Sequence, residues 1–170
     1  MGETGRSRSL IPALTEGRPV NERSIRVMVV DDSAVVRQVL RGIVEADPGL
    51  TCIGAHADPV FAQQAMAREW PDVILLDIEM PRMDGITFLR QLMASRPTPV
   101  VVCSTLTARG APLTLEALDA GAVEVVEKPG TAVRDGLQEQ AARLTAAVRT
   151  AARANLGSLA RARAALGAPP

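Results

Sequence analysis

Five short apolar runs, spaced almost evenly, constrain this chain more than any other feature. They are "IRVMVV" (25–30), "LTCIGA" (50–55), "DVILLD" (72–77), "PVVVC" (99–103) and "VEVV" (123–126). Starting at residues 25, 50, 72, 99 and 123, they lie 22 to 27 residues apart. Each is short, mostly apolar and rich in β-branched residues, which marks a strand. Between them the apolar period changes. Val36, Val39, Leu40 and Ile43 share one helical face, and Phe88, Leu89 and Leu92 share another. Each interval holds one strand and one helix. Continuously apolar strands alternating with helices predict a parallel sheet covered on both faces.

The fold class is therefore α/β, a doubly wound five-stranded domain over residues 25–155. The flavodoxin-like order 2-1-3-4-5 is the arrangement expected of it. The flanks differ in kind. Residues 1–24 mix Gly, Ser, Arg and Pro without periodicity and read as a disordered leader. Its "SLIPAL" is too short, and too broken by Pro12, for a signal-peptide core. From Asp135, Leu137, Ala141, Leu144, Val148 and Ala151 mark one face of a last helix. Residues 156–170, ending "LGAPP", read as a linker toward a C-terminal effector domain missing from this chain.

Charge excludes some partners. Nineteen basic residues balance nineteen acidic ones, so no global field recruits nucleic acid or an anionic membrane. No apolar stretch approaches the roughly 18 residues of a membrane span. Two cysteines fit a reducing compartment. A cytoplasmic domain, without membrane insertion, is expected.

The chemistry sits where the strands stop. The first runs into Asp31 and Asp32, the third into Asp77. One acid could serve as a helix cap, but a second adds repulsion without adding a cap. In open α/β sheets ligands bind beyond the carboxyl ends of the strands, where the strand order reverses. In the order 2-1-3-4-5 that point lies between strands one and three, so the three carboxylates face one crevice. They need a cation to stay ionised together, and hard oxygen ligands with room for water suit Mg²⁺. Ser104 ends the fourth strand and Lys128 follows the fifth. Acids, a metal, a hydroxyl and an ammonium together describe phosphoryl transfer, with Asp77 as nucleophile.

These residues resemble the receiver domain of two-component response regulators. The likeness rests on "VVDDS", "DVILLDIEMPRMDG", the Ser-Thr after strand four and "KP" after strand five. It implies that Asp77 is the phosphoacceptor and that Asp31, Asp32, Asp77 and the main-chain carbonyl of Glu79 hold Mg²⁺. Ser104 becomes the switch hydroxyl and Lys128 the phosphate-binding lysine. The finer resemblance is to the N-terminal receiver of chemotaxis protein-glutamate methylesterases (CheB-type). It lies in "DIEMPRMDGITFLRQLM", "STLTARGAPLTLEALDAGAVEVVEKP" and "VRTAARA". It implies a chemotaxis histidine kinase as phosphodonor. It further implies an attached methylesterase domain acting on methyl-accepting chemoreceptors. One position departs from many receivers: Val125 stands where an aromatic reports phosphorylation.

Other readings are weaker. The alternative functions are a stand-alone receiver, acting as phosphoryl shuttle or sink, and the receiver of another kind of response regulator. An aspartyl-phosphate hydrolase needs D-x-D after the first strand, where this chain has "DDS". No G-x-G-x-x-G follows that strand for a dinucleotide. Esterase chemistry has no catalytic residues to use here: His56 is the only histidine, and no G-x-S-x-G occurs. The enzymatic capacity expected is Mg²⁺-dependent self-phosphorylation and dephosphorylation. Cys52 and Cys103 read as core thiols three strands apart, roughly 14 Å, beyond disulfide reach. Trp70 is expected to pack over a helix end, and the arginines from 134 to 163 form a solvated face.

Overall fold

Alternate residues of the first strand part to opposite faces of a sheet, Val27 and Val29 to one and Met28 and Val30 to the other. The same division runs through Val73, Leu75 against Ile74, Leu76, and through Val101, Cys103 against Val100, Val102. A strand buried on both faces needs a helix layer on each side, and the connecting segments supply both. The protein's structure, a computed structural model, describes residues 24–80, 84–105, 110–129, 134–154, 156, 157 and 165.

In chain order the elements are β1 (Ile25–Val30), α1 (Ala34–Ala46), β2 (Leu50–His56), α2 (Pro59–Arg68), β3 (Val73–Asp77), α3 (Gly85–Ser95), β4 (Val100–Ser104), α4 (Gly110–Ala120), β5 (Glu124–Glu127) and α5 (Arg134–Arg153). All strand pairs are parallel, in the order β2-β1-β3-β4-β5. This is the expected order, with its switch point between β1 and β3. Helices α2, α3 and α4 cover one face through Met66, Phe88, Leu89 and Ala117. Helices α1 and α5 cover the other through Leu40, Val44, Leu144 and Val148.

Boundaries shift by a residue. Strand β3 starts at Val73, and the Arg26 N–H and guanidinium donate to the carboxylate of the preceding Asp72 at 2.8 and 3.2 Å. Strand β4 continues to Ser104, and β5 occupies 124–127. The apolar rhythm of α5 holds from Leu144 to Ala151, but Leu137 is exposed. Twenty residues of helix span about 30 Å, longer than the five-residue strand β4 beneath, at roughly 17 Å. Leu137, Gln138 and Ala141 in the early turns of α5 line a cleft with Val39 and Ile43 of α1.

Cys103 is buried and Cys52 half-buried, both free thiols, and burial pushes the Cys103 thiol up to about 12. Trp70 sits just past α2, donating to Thr98 Oγ1 at 2.9 Å beneath the Arg96 guanidinium. Gly121, with φ at +121°, turns the chain from α4 into β5 in a conformation that glycine alone adopts cheaply. The expected leader, residues 1–24, lies outside the described residues except for Ser24. Most of the expected linker 156–170 lies outside them too. Among the described residues no helix is long and apolar enough to cross a membrane.

Candidate functional site

Each candidate side chain is placed by the end of a strand. Asp31 follows β1 directly, its N–H held by the His56 carbonyl of β2 at 3.0 Å. Asp77 is the last residue of β3, Ser104 the last of β4, and Lys128 the first after β5. A backbone bond from Lys128 N–H to the Ser104 carbonyl, 2.8 Å, ties the last two together. Neither Asp31 nor Asp32 caps α1. Ser33 does, its hydroxyl accepting from Val36 N–H at 3.3 Å, while Asp31 Oδ1 accepts from Ser33 N–H at 2.8 Å. The acids are left for another role.

Asp31, Asp32 and Asp77 each bring a carboxylate oxygen within 4.8 Å of the other two. Asp31 and Asp77 are buried and Asp32 is exposed, so the cluster opens to solvent on one side. Lys128 Nζ lies 3.2 Å from Asp31 Oδ2 and 3.1 Å from Asp77 Oδ1. Asp77 Oδ1 also accepts the Glu79 N–H, at 2.9 Å. Its other oxygen, Oδ2, is buried with no hydrogen-bond partner among the described residues.

The ammonium that Asp77 shares with Asp31 does not offset the desolvation of Asp77. Burial, reinforced by the Asp31 charge, pushes the Asp77 carboxyl up to about 6, against the pull of the Glu79 N–H and Lys128. Burial works against the Lys128 ammonium as well, but Asp77 and Asp31 together outweigh it and raise its pKa. A further positive charge would relieve the clustered carboxylates. The donor set fits a hard divalent cation: carboxylate oxygens, one open side, an unpartnered buried oxygen.

The sequence-expected residues Asp31, Asp32, Asp77 and Lys128 thus meet at one place, and Ser104 borders it. The Ser104 hydroxyl donates to the Thr105 carbonyl at 3.2 Å. The Glu79 side chain turns away from the acids, its Oε2 accepting from Thr105 Oγ1 at 3.1 Å. Val125 is half-buried and packs into the core on the α2–α4 face. Pro81, Arg82, Met83 and Gly130, which belong to the quoted motifs, lie outside the described residues.

Three contributors were not singled out from the sequence. Arg37 Nη1 donates to the Asp31 carbonyl at 2.8 Å, fixing the first acid from one turn into α1. Thr105 Oγ1 donates to the Glu79 carboxylate at the rim of the site. Gly85, first residue of α3, lies so close to β3 that a Cβ there would meet the Asp77 carbonyl oxygen at 2.4 Å. Only glycine lets α3 begin against the strand that carries Asp77. The Asp84-Gly85 pair signals a capped helix start, and Asp84 does cap it, but sequence gives no sign of that contact.

Residues 27–140 match the response regulator receiver domain family. A protein-glutamate methylesterase/protein-glutamine glutaminase of Shewanella denitrificans is 58% identical over 132 residues, which are 78% of this chain and 38% of that protein. The chain therefore spans well under half the length of such relatives. The response regulator domain of Thermotoga maritima CheB superposes with a TM-score of 0.69 at 39% identity, over 78% of this chain and 99% of that one. A chain from the CheX–CheY–BeF3–Mg complex of Borrelia burgdorferi superposes with a TM-score of 0.58 at 28% identity, over 71% and 89% respectively.

Proposed function

Since the chain belongs to the response regulator receiver domain family, and within it to the CheB type, we propose that Asp77 is its phosphoacceptor. A chemotaxis histidine kinase is the proposed donor. The observation that carries this reading is the unequal state of the two Asp77 oxygens. Oδ1 is held by Glu79 N–H and Lys128, while Oδ2 is buried and unpartnered. A carboxylate pinned by one oxygen presents the other as a nucleophile. Attack on the phosphohistidine phosphorus forms the Asp77 O–P bond and breaks the P–N bond. The electron pair stays with the kinase imidazole.

Asp31, Asp32 and Asp77, with the Glu79 main-chain carbonyl, would hold Mg²⁺. When bound, the ion supplies the positive charge that the phosphoryl oxygens and the clustered carboxylates both need. Lys128, within ion-pair distance of Asp77, would pair with a phosphoryl oxygen. Ser104 would leave the Thr105 carbonyl to hydrogen-bond another. Val125 offers no aromatic swing, so the signal would travel by backbone: a shift at Ser104 pulls on Lys128 through their 2.8 Å bond.

The phosphorylated face would control a protein-glutamate methylesterase domain of the kind its relatives carry, and through it methylated chemoreceptors. Docked and undocked states would exchange, and phosphorylation would shift their populations. Incubation with Mg²⁺ and a small-molecule phosphodonor should label the wild-type chain and leave Asp77→Asn unlabelled. Equal phosphoryl incorporation in the two chains overturns the assignment.

A further inference from the structure

Four acidic side chains stand at the tips of β1 and β3, yet only three form the cluster. Glu79 is two residues from Asp77, and its N–H bonds Asp77 Oδ1 at 2.9 Å, so its backbone sits at the rim of the crevice. Its carboxylate nonetheless reaches across to the next strand end, where Thr105 Oγ1 donates to Oε2 at 3.1 Å. The two residues are 26 apart in sequence and bridge the loops that leave β3 and β4.

We infer that Thr105 is a positioning residue that holds the Glu79 carboxylate out of the acidic crevice. The inference rests on the proposed phosphoryl-transfer role of that crevice. Affinity for a hard cation rises with the number of charged oxygen ligands. A fourth carboxylate would therefore tighten the metal site, but at two costs to function. It would occupy a coordination position needed by a phosphoryl oxygen, and it would set a negative charge where a dianionic phosphoryl group must arrive. A neutral hydroxyl donor avoids both. It satisfies the carboxylate outside the cluster and leaves Glu79 to offer its main-chain carbonyl alone. The open solvent side at Asp32 stays open for the phosphoryl group.

The bland reading is a solvated hydroxyl–carboxylate contact without consequence for the site. Calorimetric titration of the full 170-residue chain with Mg²⁺ separates the two. Thr105→Val should bind Mg²⁺ about fivefold more tightly, the shift that freeing one ordinary hydrogen bond supports. Thr105→Ser should match wild type, since it keeps the donor. Glu79→Gln and the double variant Thr105→Val/Glu79→Gln should bind no more tightly than wild type. Thr105→Val should also take up beryllium fluoride less readily at saturating Mg²⁺. Unchanged affinity in Thr105→Val, with Mg²⁺ binding intact in wild type, overturns the inference alone. Tightening that persists in the double variant does the same, because Glu79 would not be its source. A wild-type chain without Mg²⁺ binding overturns the reading of the crevice, and the inference with it.

Discussion

Asp47 and Asp77 are two carboxylates at opposite ends of the same sheet, and each lies beside a cation. At the amino end, Asp47 Oδ1 takes the Arg149 guanidinium at 2.6 Å and the Gly49 N–H at 2.9 Å. The hydrogen bond from Arg149 is the main reason its carboxyl is held below the usual range. At the carboxyl end, Asp77 shares Lys128 with Asp31 and is pushed up to about 6 by burial. The difference extends to the surroundings. The amino end also carries the Arg26–Asp72 pair and the Trp70–Thr98–Arg96 stack, each polar group with a partner. The carboxyl end leaves two buried carboxylate oxygens, Asp31 Oδ2 and Asp77 Oδ2, without a hydrogen-bond partner among the described residues. The amino end holds the sheet together, whereas the carboxyl end stores unfavourable charge that a cation would relieve.

Removing Lys128 should break the comparison most severely. In Lys128→Met, Asp31 and Asp77 lose the one ammonium between them while staying buried. Stripping a partner from a buried ionic cluster costs about 3–5 kcal/mol, so urea denaturation at pH 8 without metal should show a loss of that order. Millimolar Mg²⁺ should restore much of it, because the ion binds only the folded cluster. A loss that Mg²⁺ does not reduce would mean that the acids do not form a cation site.

Asp77→Asn should move stability the other way. The folded carboxyl titrates near 6 against an ordinary 3.8, so the fold favours its neutral form. That favourable contribution is complete below about pH 3.8 and disappears as pH rises through about 6. An amide imitates the neutral acid and does not titrate. At pH 8 without metal the variant should exceed wild type by up to about 3 kcal/mol, the equivalent of the shift, and the gap should close between pH 6 and pH 4. Thermal melts across pH 4–8 would show it. A gap that fails to narrow toward acid would sever it from the titration of Asp77.

The same contrast explains what could be read from the sequence. Strand number and the covering of both faces were legible because apolar runs and helical period come from burial, which each residue meets locally, while the strand order came from the flavodoxin-like precedent. The positions of Asp31, Asp32, Asp77, Ser104 and Lys128 were legible because each ends a strand, and the strand order brings those ends together. Gly85 was not, since its constraint is a close approach between α3 and the end of β3 that only coordinates reveal. Thr105 and Glu79 stand 26 residues apart, and nothing in either segment announces their bond. Leu137 was placed on the apolar face of α5, and periodicity does not show that the cleft it lines with α1 leaves it exposed.

The smallest effect belongs to the amino end and tests whether the two ends are independent. Asp47→Asn keeps an acceptor for the Gly49 N–H but loses the charge facing Arg149. That guanidinium is more than a third exposed, so solvent screens much of the pair. Exposed pairs of this kind contribute about 0.5–1 kcal/mol, and a loss of that size is expected at pH 7. The carboxyl is held below its ordinary range, so its contribution is present above about pH 4. It should fade as acid protonates the folded carboxyl, the reverse of the trend for Asp77. Residues far apart with no shared partner act additively. Mg²⁺ should therefore bind Asp47→Asn with wild-type affinity, and the stability losses of Asp47→Asn and Lys128→Met should sum in the double variant. A clear departure from that sum would show that charge stored at one end of the sheet is felt at the other.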